Sequence, residues 1–283
     1  MAVSNPSLQP ILALMGHPVG GNPTQYMTEK AFLHRELDWR YLTLDVSPDE
    51  LADAVRGMKA MGFRGGNLID PHKETVVEFL DRATKTAELT GIVNLIRRDE
   101  EELVGENTEG QALVEALASR VSLVDKRICV LGAGHMARAA AVELAQSHVG
   151  GITIVNRTQS RAEDLAGLIS DKLEIPARGV GWDEPHAVEP ETDILINATS
   201  IAESDPDAMV PLLLDSLTAD MLVVDTTIDP DTLLLAQAKD RGCTTLDGVE
   251  ILIDQVAVNF KLWTGIEADR DLLREAVEEY LEL

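Results

Sequence analysis

The sequence predicts an α/β protein of two lobes, in which a first lobe with a mixed sheet precedes a second lobe with a parallel sheet. Two observations predict this class. Short apolar runs alternate with helix-like spacing along most of the 283 residues, and such alternation is typical of parallel strands covered by helices. One pair of strand-like runs, GIVNLIRR and EELVGENT, meets at the acidic turn RDEE. This pair predicts an antiparallel hairpin, so the first sheet is expected to be mixed.

The first lobe is predicted to extend to residue 109. Ser47 and Pro48 begin one of its helices, because serine is a good N-cap and proline suits the first helical turn. The predicted elements, in chain order, are strand 11–16, helix 24–37, strand 40–46, helix 47–62, strand 65–69, helix 73–89 and the hairpin within 91–108.

The second lobe is predicted to cover residues 110–247, and a helical, amphipathic tail at 248–283 is expected to return to the first lobe. Gly242 closes its last helix, since glycine favours the position just after a helix end. The predicted elements are helix 110–120, a strand, glycine turn and helix within 126–146, strand 151–158, helix 159–170, strands 193–200 and 221–227, and helix 231–243.

Charge and composition limit the partners of the chain. It has 24 Lys and Arg against 49 Asp and Glu, a net charge of −25, which repels nucleic acid and anionic membranes. The simplest interpretation is a soluble surface, and an anionic ligand would then depend on a few local arginines. No apolar run is long enough for a membrane span, and the N-terminal MAVSNPSLQP lacks the pattern of a secretion signal. We therefore expect a cytoplasmic protein.

The cysteine and histidine residues do not predict a metal site. Cys129 and Cys243 are the two cysteines, and they lie too far apart in sequence for a zinc motif or a disulfide framework. Cys129 stands in the apolar run RICVLGAG, where a buried, unreactive thiol is the better interpretation. We expect no bound metal.

A glycine-rich turn between a strand and a helix predicts a dinucleotide site. Residues 132–137 fit G-x-G-x-x-A, where Gly132 permits the tight turn and Gly134 lets the backbone approach a pyrophosphate. Ala137 lets the helix pack closely, and the N–H groups of the helix N-terminus face the phosphates. The strand–turn–helix context favours this interpretation over a merely tight turn. The residues that we expect to contact the cofactor here are Gly132, Ala133, Gly134, His135 and Met136.

The end of the following strand predicts which dinucleotide binds. An NAD site usually carries Asp or Glu there to bind the ribose 2′-hydroxyl, but this chain has Asn156, Arg157 and Thr158, with Arg161 one turn further on. Two guanidiniums suit a 2′-phosphate, so NADP(H) is predicted. The alternative is that Arg157 and Arg161 are solvated or paired with carboxylates.

The segment LINATS ends another strand with small and polar residues. Ala198, Thr199 and Ser200 follow Asn197, and open α/β sheets bind ligands at the carboxyl ends of their parallel strands. We expect these three residues to line the nicotinamide side of the cofactor. Ser200 is equally well explained as an N-cap for the next segment.

A nicotinamide cofactor implies hydride transfer, which needs a group that handles the proton of the substrate oxygen. Lys73 is a candidate because Asp70 and Pro71 end a strand and begin a helix, which would orient the lysine side chain. A carboxylate would hold and tune the ammonium, and Glu109, at the junction of the lobes, is a plausible partner. The alternative is a solvent-facing lysine, and His72 is expected to be a turn residue.

Segments along nearly the whole chain resemble the shikimate dehydrogenase family, which reduces 3-dehydroshikimate with NADPH. The matching segments are GHPVGGNP, NLIDPHK, GIVN, GENTEG, GAGHMARA, NRTQSRA, INATS, DTTIDPDTLLLAQAKDRGC and DGVEILIDQVAVNFKLWTG. The resemblance implies a substrate-binding catalytic domain at 1–109, a Rossmann NADP-binding domain at 110–247 and C-terminal helices at 248–283. It also implies a cytoplasmic oxidoreductase of aromatic amino acid biosynthesis.

The same resemblance assigns roles to single residues. Lys73 takes the place of the family's catalytic lysine, and Glu109 takes the place of its catalytic aspartate. The residues implied as substrate ligands are Asn67, Asn94 and Gln255, and those implied for the cofactor are Thr226 and Gly248.

The departures from the family pattern fall in the substrate half. The substrate loop offers Gly20–Asn22 in place of two serines, Ile69 replaces threonine and Ile228 replaces tyrosine. A shikimate-sized acid would lose several hydrogen bonds, each worth about 0.5–1.5 kcal/mol, unless Asn22, Tyr26 or backbone N–H groups replace them. Asn22, Ile69 and Ile228 are therefore expected to contact a less polar or differently oriented hydroxy or keto acid, bound by a monomer or homodimer. The alternative from another class is a non-catalytic NADP(H)-binding protein.

Overall fold

A computed structural model describes residues 8–182, 185–201, 205 and 207–283. The first seven residues, on which the expectation about a secretion signal rests in part, lie outside the described residues. The chain divides into two compact units, Met1–Thr108 with Gln255–Leu283, and Glu109–Asp254. No described helix is long and apolar enough to cross a membrane.

The first unit is built on a six-stranded mixed sheet with the strand order β2-β1-β3-β5-β6-β4. Strand β1 pairs in parallel with β2 and β3, whereas β5 pairs antiparallel with β3 and with β6, so the predicted hairpin and the mixed sheet are confirmed. The elements are β1 Ile11–Gly16, α1 Thr24–His34, β2 Arg40–Asp45, α2 Leu51–Ala60, β3 Gly65–Leu68, α3 His72–Thr75, β4 Arg82–Ala83, α4 Lys85–Thr90, β5 Leu95–Asp99, β6 Glu102–Glu106, α10 Arg270–Leu281 and part of α9 Gly248–Thr264.

The continuous helix predicted for 73–89 is wrong. Helix α3 ends at Thr75, a 3-10 turn follows, and the chain then forms β4 and α4. The Asp81 carboxylate accepts a hydrogen bond of 2.7 Å from Leu103 N, and Thr84 N donates to Gly105 O at 2.9 Å. Pairing with β6 therefore replaces the local helical bonds, a case in which tertiary contacts outweigh helix propensity.

The second unit is built on six parallel strands with the order β12-β11-β10-β7-β8-β9. The strand order reverses between β7 and β10, and such a switch point is where open parallel sheets bind ligands. The pattern analysis predicted neither edge strand, β9 or β12. The elements are α5 Glu109–Ala118, β7 Arg127–Leu131, α6 His135–Gln146, β8 Gly151–Asn156, α7 Gln159–Leu173, β9 Ala177–Gly181, β10 Ile194–Asn197, β11 Leu222–Asp225, α8 Leu233–Asp240, β12 Thr244–Leu246 and the start of α9.

Candidate active site

The glycine turn of the second unit lies directly against the end of strand β10. Gly132 has φ +107°, and a Cβ built on it would lie 2.7 Å from the Ala198 carbonyl oxygen. Ala198 N in turn donates to Leu131 O at 2.9 Å. Glycine is therefore required at position 132 both by its backbone conformation and by the close approach of the next strand.

Helix α6 begins at His135, immediately after this turn. A Cβ built on Gly134 would meet no atom of the described residues within 4 Å, so the helix N-terminus has open space beside it. Ala137 is fully buried, which lets α6 pack closely on the sheet. His135 and Met136 are half-buried and Ala133 is buried. An open helix N-terminus after a glycine turn suits an anion such as a pyrophosphate.

Four of the residues predicted to bind the cofactor line one cavity of about 210 Å³ in the second unit, so Thr199 and Ser200, which were expected on the nicotinamide side, share a cavity with Arg157. Its apolar walls, which the pattern analysis missed, come from segments far apart in sequence. The lining residues are Asn156, Arg157, Thr199 and Ser200 with Trp182, Pro185, Ile201 and Pro211. An apolar slot with a guanidinium at its edge suits a flat heterocycle that carries a phosphate nearby.

The arginines at this end of β8 are exposed. Arg157 follows Asn156, whose Nδ2 donates to Thr158 O at 3.0 Å, and Arg161 lies in the first turn of α7, where its N–H donates to Thr158 O at 3.1 Å. Among the described residues, neither Arg157 nor Arg161 forms an ion pair with a carboxylate. Arg157 borders the cavity, whereas Thr158 and Arg161 are not among its lining residues.

A buried carboxylate holds the ends of β10 and β11 together. Asp225 has no exposed surface, and its carboxylate accepts from Asn197 Nδ2 at 3.2 Å, Thr227 N at 3.1 Å and Thr232 Oγ1 at 3.0 Å. A Cβ built on Gly248 would lie 2.1 Å from Thr227 O. We call these contacts of Asp225, Asn197, Thr227, Thr232 and Gly248 the frame, because they hold the ends of β10 and β11 and the start of α9 together.

Two predicted site residues lie on the loop that this frame holds. Thr226 N donates to Asn197 O at 3.0 Å, so the backbone of this residue is tied to the neighbouring strand end. Ile228, in contrast, is 45% exposed. The loop therefore presents an apolar side chain on a well-anchored backbone.

In the first unit, Lys73 stands on the short helix α3, which is anchored on both sides. The ring of His72 is 1% exposed, and its Nε2 lies 2.7 Å from Val46 O. The Lys73 carbonyl accepts from Val93 N at 2.9 Å. The expectation that His72 is a turn residue is wrong, because its buried ring helps to orient the helix that carries the lysine.

A buried polar network connects strands β2 and β3 with the residue before β5 and with helix α9. Tyr41 Oη donates to Asn67 Oδ1 at 2.7 Å, and Asn67 Nδ2 donates to Asn94 O at 3.1 Å. Asn94 Nδ2 donates to Thr108 Oγ1 at 3.0 Å, and Thr108 Oγ1 donates to Asn259 Oδ1 at 2.7 Å. Burial raises the pKa of Tyr41 well above its usual value, so its hydroxyl remains a donor. Each polar end of Asn67 has a protein partner, and so has each end of Asn94, whose Oδ1 accepts from Thr108 N at 2.7 Å. That Asn67 and Asn94 bind the substrate stays a prediction.

The remaining residues predicted for this half lie in three separate segments of the chain. Asn22 Oδ1 accepts from Thr24 N at 2.9 Å at the start of α1. Ile69 is half-buried and packs on Gly16, where a built Cβ would lie 2.2 Å from Ile69 Cγ1. Gln255 is half-buried on α9.

Glu109 is the residue of the predicted pair that lies in the second unit. It is the first residue of α5 and is half-buried. Because Lys73 belongs to the first unit, the pairing of the two side chains stays a prediction.

Comparison with known proteins links both units to one family. A family model described as shikimate dehydrogenase substrate binding domain matches residues 14–96, and one described as shikimate / quinate 5-dehydrogenase matches residues 113–247. A shikimate dehydrogenase (NADP(+)) of Methanopyrus kandleri is 37% identical over 277 residues, which are 96% of each chain. One of Methanococcus aeolicus is 34% identical over 276 residues, 96% of this chain and 98% of that protein.

Two solved structures are similar over nearly their whole length. The ligand-free 5-ketofructose reductase of Gluconobacter sp. strain CHM43 has a TM-score of 0.94 and 40% identity, covering 96% of this chain and 99% of that one. A shikimate dehydrogenase in complex with NADP+ has a TM-score of 0.89 and 35% identity, covering 96% of this chain and 95% of that one.

Proposed function

The chain belongs to the shikimate dehydrogenase family, and from that premise we propose that it transfers a hydride between NADP(H) and a ketone or secondary alcohol of a small polyhydroxylated molecule. The predicted family, the α/β fold with its Rossmann unit and the class of reaction, NADP-dependent oxidoreduction, are confirmed. The identity of the substrate and the roles of single residues are what we propose.

The observation that carries the cofactor site is the cavity at the carboxyl ends of β8 and β10. It combines Arg157, apolar walls and small hydroxyl residues, and it lies in the same unit as the open N-terminus of α6. The helix N-terminus would hold the pyrophosphate, and Arg157, with Arg161 one turn away, would bind the 2′-phosphate. No acidic residue stands at 156–158 to repel that phosphate.

We assign proton handling to Lys73. When bound, NADPH supplies the hydride for the carbonyl carbon. The Lys73 ammonium would stabilise negative charge on the carbonyl oxygen and donate a proton to it, and in the reverse direction the neutral amine would accept the hydroxyl proton. From the family resemblance, Glu109 is proposed to hold the ammonium. Asn94, which the buried network orients, and Gln255 are proposed to bind substrate hydroxyls.

Two substrates follow from the relatives. Several relatives are named as shikimate dehydrogenases, which suggests 3-dehydroshikimate or a related cyclic acid. The similarity to a 5-ketofructose reductase suggests a keto sugar. The second candidate is favoured by the substrate loop, which has Gly20–Asn22 without the two serines.

The remaining properties are proposed as they were predicted. The first unit would bind the substrate and the second unit the cofactor. The chain would act as a monomer or homodimer in the cytoplasm, with a small molecule as its partner and without nucleic acid.

Reduction of 3-dehydroshikimate and of 5-ketofructose, followed by the loss of NADPH absorbance, tests this function. Lys73→Ala should lower kcat by a factor of about 10²–10⁴, the usual contribution of general acid–base catalysis, and leave the NADPH dissociation constant unchanged. Lys85→Ala, an exposed lysine at the start of α4, is the matched control and should behave as wild type. NADPH binding without turnover of either ketone would contradict the proposal and favour a non-catalytic binding protein.

A further inference from the structure

We propose that the substrate site selects an uncharged polyhydroxy ketone and discriminates against carboxylic acids, and that Ile69 is a residue that sets this choice. The inference rests on the proposed function and deepens it. Its basis is the set of groups at the carboxyl ends of β1, β2 and β3 in the first unit, where a carboxylate would need a cation or several strong donors.

The first observation is the apolar contact at the ends of β1 and β3. Ile69 comes directly after β3, and its Cγ1 lies so close to Gly16 that a Cβ there would approach it to 2.2 Å. The isoleucine side chain therefore occupies the space that any larger residue at position 16 would take. It covers this part of the strand ends with hydrocarbon, which offers a carboxylate no hydrogen bond and removes water from it.

The second observation is that nearby polar side chains already have protein partners. Asn22 Oδ1 accepts from Thr24 N at 2.9 Å, so the amide that replaces a serine is oriented by its own helix. The Tyr26 ring packs on the Tyr280 ring with centroids 5.9 Å apart and an angle of 42° between the rings, and the Lys30 ammonium lies 5.0 Å from the centre of the Tyr26 ring. Neither side chain rebuilds the missing hydroxyl pair. The Asn22 Nδ2 group and backbone N–H groups remain, and they are neutral donors.

The third observation is the sign of the local charge. Asp45 ends β2, and its side chain is exposed. His17 Nδ1 lies 2.9 Å from Asp45 Oδ1, so the His17 ring already has a carboxylate partner. A carboxylate at this strand end disfavours an acidic substrate, in a chain whose net charge is already −25.

Neutral amides are well suited to the opposite kind of ligand. An amide can donate hydrogen bonds to hydroxyl and carbonyl oxygens and accept them from hydroxyl groups. It needs no counter-charge to do so. Asn94 and Gln255, the proposed substrate ligands, are both amides, and Lys73 is assigned to the reacting oxygen. A ligand with several hydroxyls and no carboxylate satisfies such a site and leaves no unpaired charge.

Binding of shikimate and of shikimate methyl ester to the NADP+-loaded protein tests the inference, because the two differ only in the charged group. Calorimetry should give the ester a Kd at least about tenfold lower than that of the acid, which corresponds to about 1.4 kcal/mol. Calorimetry should also detect 5-ketofructose binding to the NADPH-loaded protein, measured under non-turnover conditions or with an inactive Lys73→Ala variant. Equal or tighter binding of the acid, or no binding of either neutral compound, would overturn the inference.

Ile69→Thr and Ile69→Val form a matched pair, since threonine and valine have nearly the same shape and differ in one hydroxyl. The ratio of acid to ester affinity should rise about tenfold in Ile69→Thr relative to Ile69→Val, the effect of one hydrogen bond to a charged group. An unchanged ratio would remove Ile69 from this role. Thermal unfolding of both variants confirms that they are folded.

The proposed reaction and the inferred selectivity can fail independently of each other. If 5-ketofructose and 3-dehydroshikimate are both inert while the ester binds more tightly than the acid, the proposed reaction fails and the selectivity of the site stands. If 3-dehydroshikimate is reduced efficiently and the acid binds as tightly as the ester, the oxidoreductase stands and the inferred selectivity fails.

Discussion

Arg157→Ala should weaken NADPH binding about tenfold and leave NADH binding unchanged. Arg157 follows β8 at the border of the cavity that Asn156, Thr199 and Trp182 also line. Its guanidinium is exposed and forms no ion pair with a described carboxylate, so it is available to an anionic group of a ligand. The 2′-phosphate is the group that distinguishes NADPH from NADH.

The magnitude follows from the surroundings of the side chain. A hydrogen bond to a charged group contributes about 1.5–3 kcal/mol, and an exposed site belongs at the low end because water and salt screen it. A loss of about 1.4 kcal/mol is a tenfold change in Kd. Removing Arg157 leaves Arg161 one turn away, which should retain part of the attraction, so we do not expect a complete loss.

Titration of both cofactors, by calorimetry or by the change in their fluorescence, measures this effect at low and at high salt. The difference between wild type and Arg157→Ala should shrink as salt rises. Arg127→Ala is the control, because Arg127 is an exposed arginine of the same unit at the start of β7, at the opposite end of the strands from Arg157. An equal loss of NADPH and NADH affinity, or a comparable loss in Arg127→Ala, would refute the assignment of Arg157 to the 2′-phosphate.

Two further predictions concern stability. Gly248→Ala places a Cβ 2.1 Å from Thr227 O and should destabilise the protein by about 1–3 kcal/mol; an unchanged Tm would contradict it. The Lys59 ammonium and then the Leu103 N–H lower the pKa of Asp81, so the stabilisation from its carboxylate is present above about pH 4 and is lost as pH falls through the lower folded-state pKa. Asp81→Asn should therefore have a lower free energy of unfolding than wild type at neutral pH. The difference between the two free energies, measured by urea denaturation, should become smaller as the pH falls.

The elements that could be predicted from the sequence are those whose signal is local. The glycine turn at 132–134 lies between an apolar strand and an alanine-rich helix, and each part independently indicates the same structure. The segment after Lys73 carries an equally good helical pattern, yet it forms a short helix, a 3-10 turn and strand β4. Its outcome depends on hydrogen bonds to β6, about 20 residues further along the chain, and no local pattern contains that information.

The same distinction holds for the candidate site. Arg157 and Thr199 could be predicted because each comes within two residues of a strand end, but Trp182, Ile201 and Pro211 form the cavity walls only after the strands are placed in order. Asp225 was predicted only as part of a strand. Its role as the acceptor that joins two strand ends requires residues that are 28 positions apart in the chain.

The buried networks suggest why the departures from the family pattern fall where they do. Asn67 and Asp225 each have at least two hydrogen-bonded partners in buried surroundings, so an apolar substitution at either would leave buried donors or acceptors unpaired at a cost of about 1–3 kcal/mol each. Ile69 stands two residues after Asn67 and Ile228 three residues after Asp225, and their side chains belong to neither network. A hydroxyl side chain at either position can be replaced by a hydrocarbon side chain without breaking the hydrogen bonds of these two networks. Substrate preference can therefore shift at the surface of the site while Lys73 and the cofactor turn stay in place.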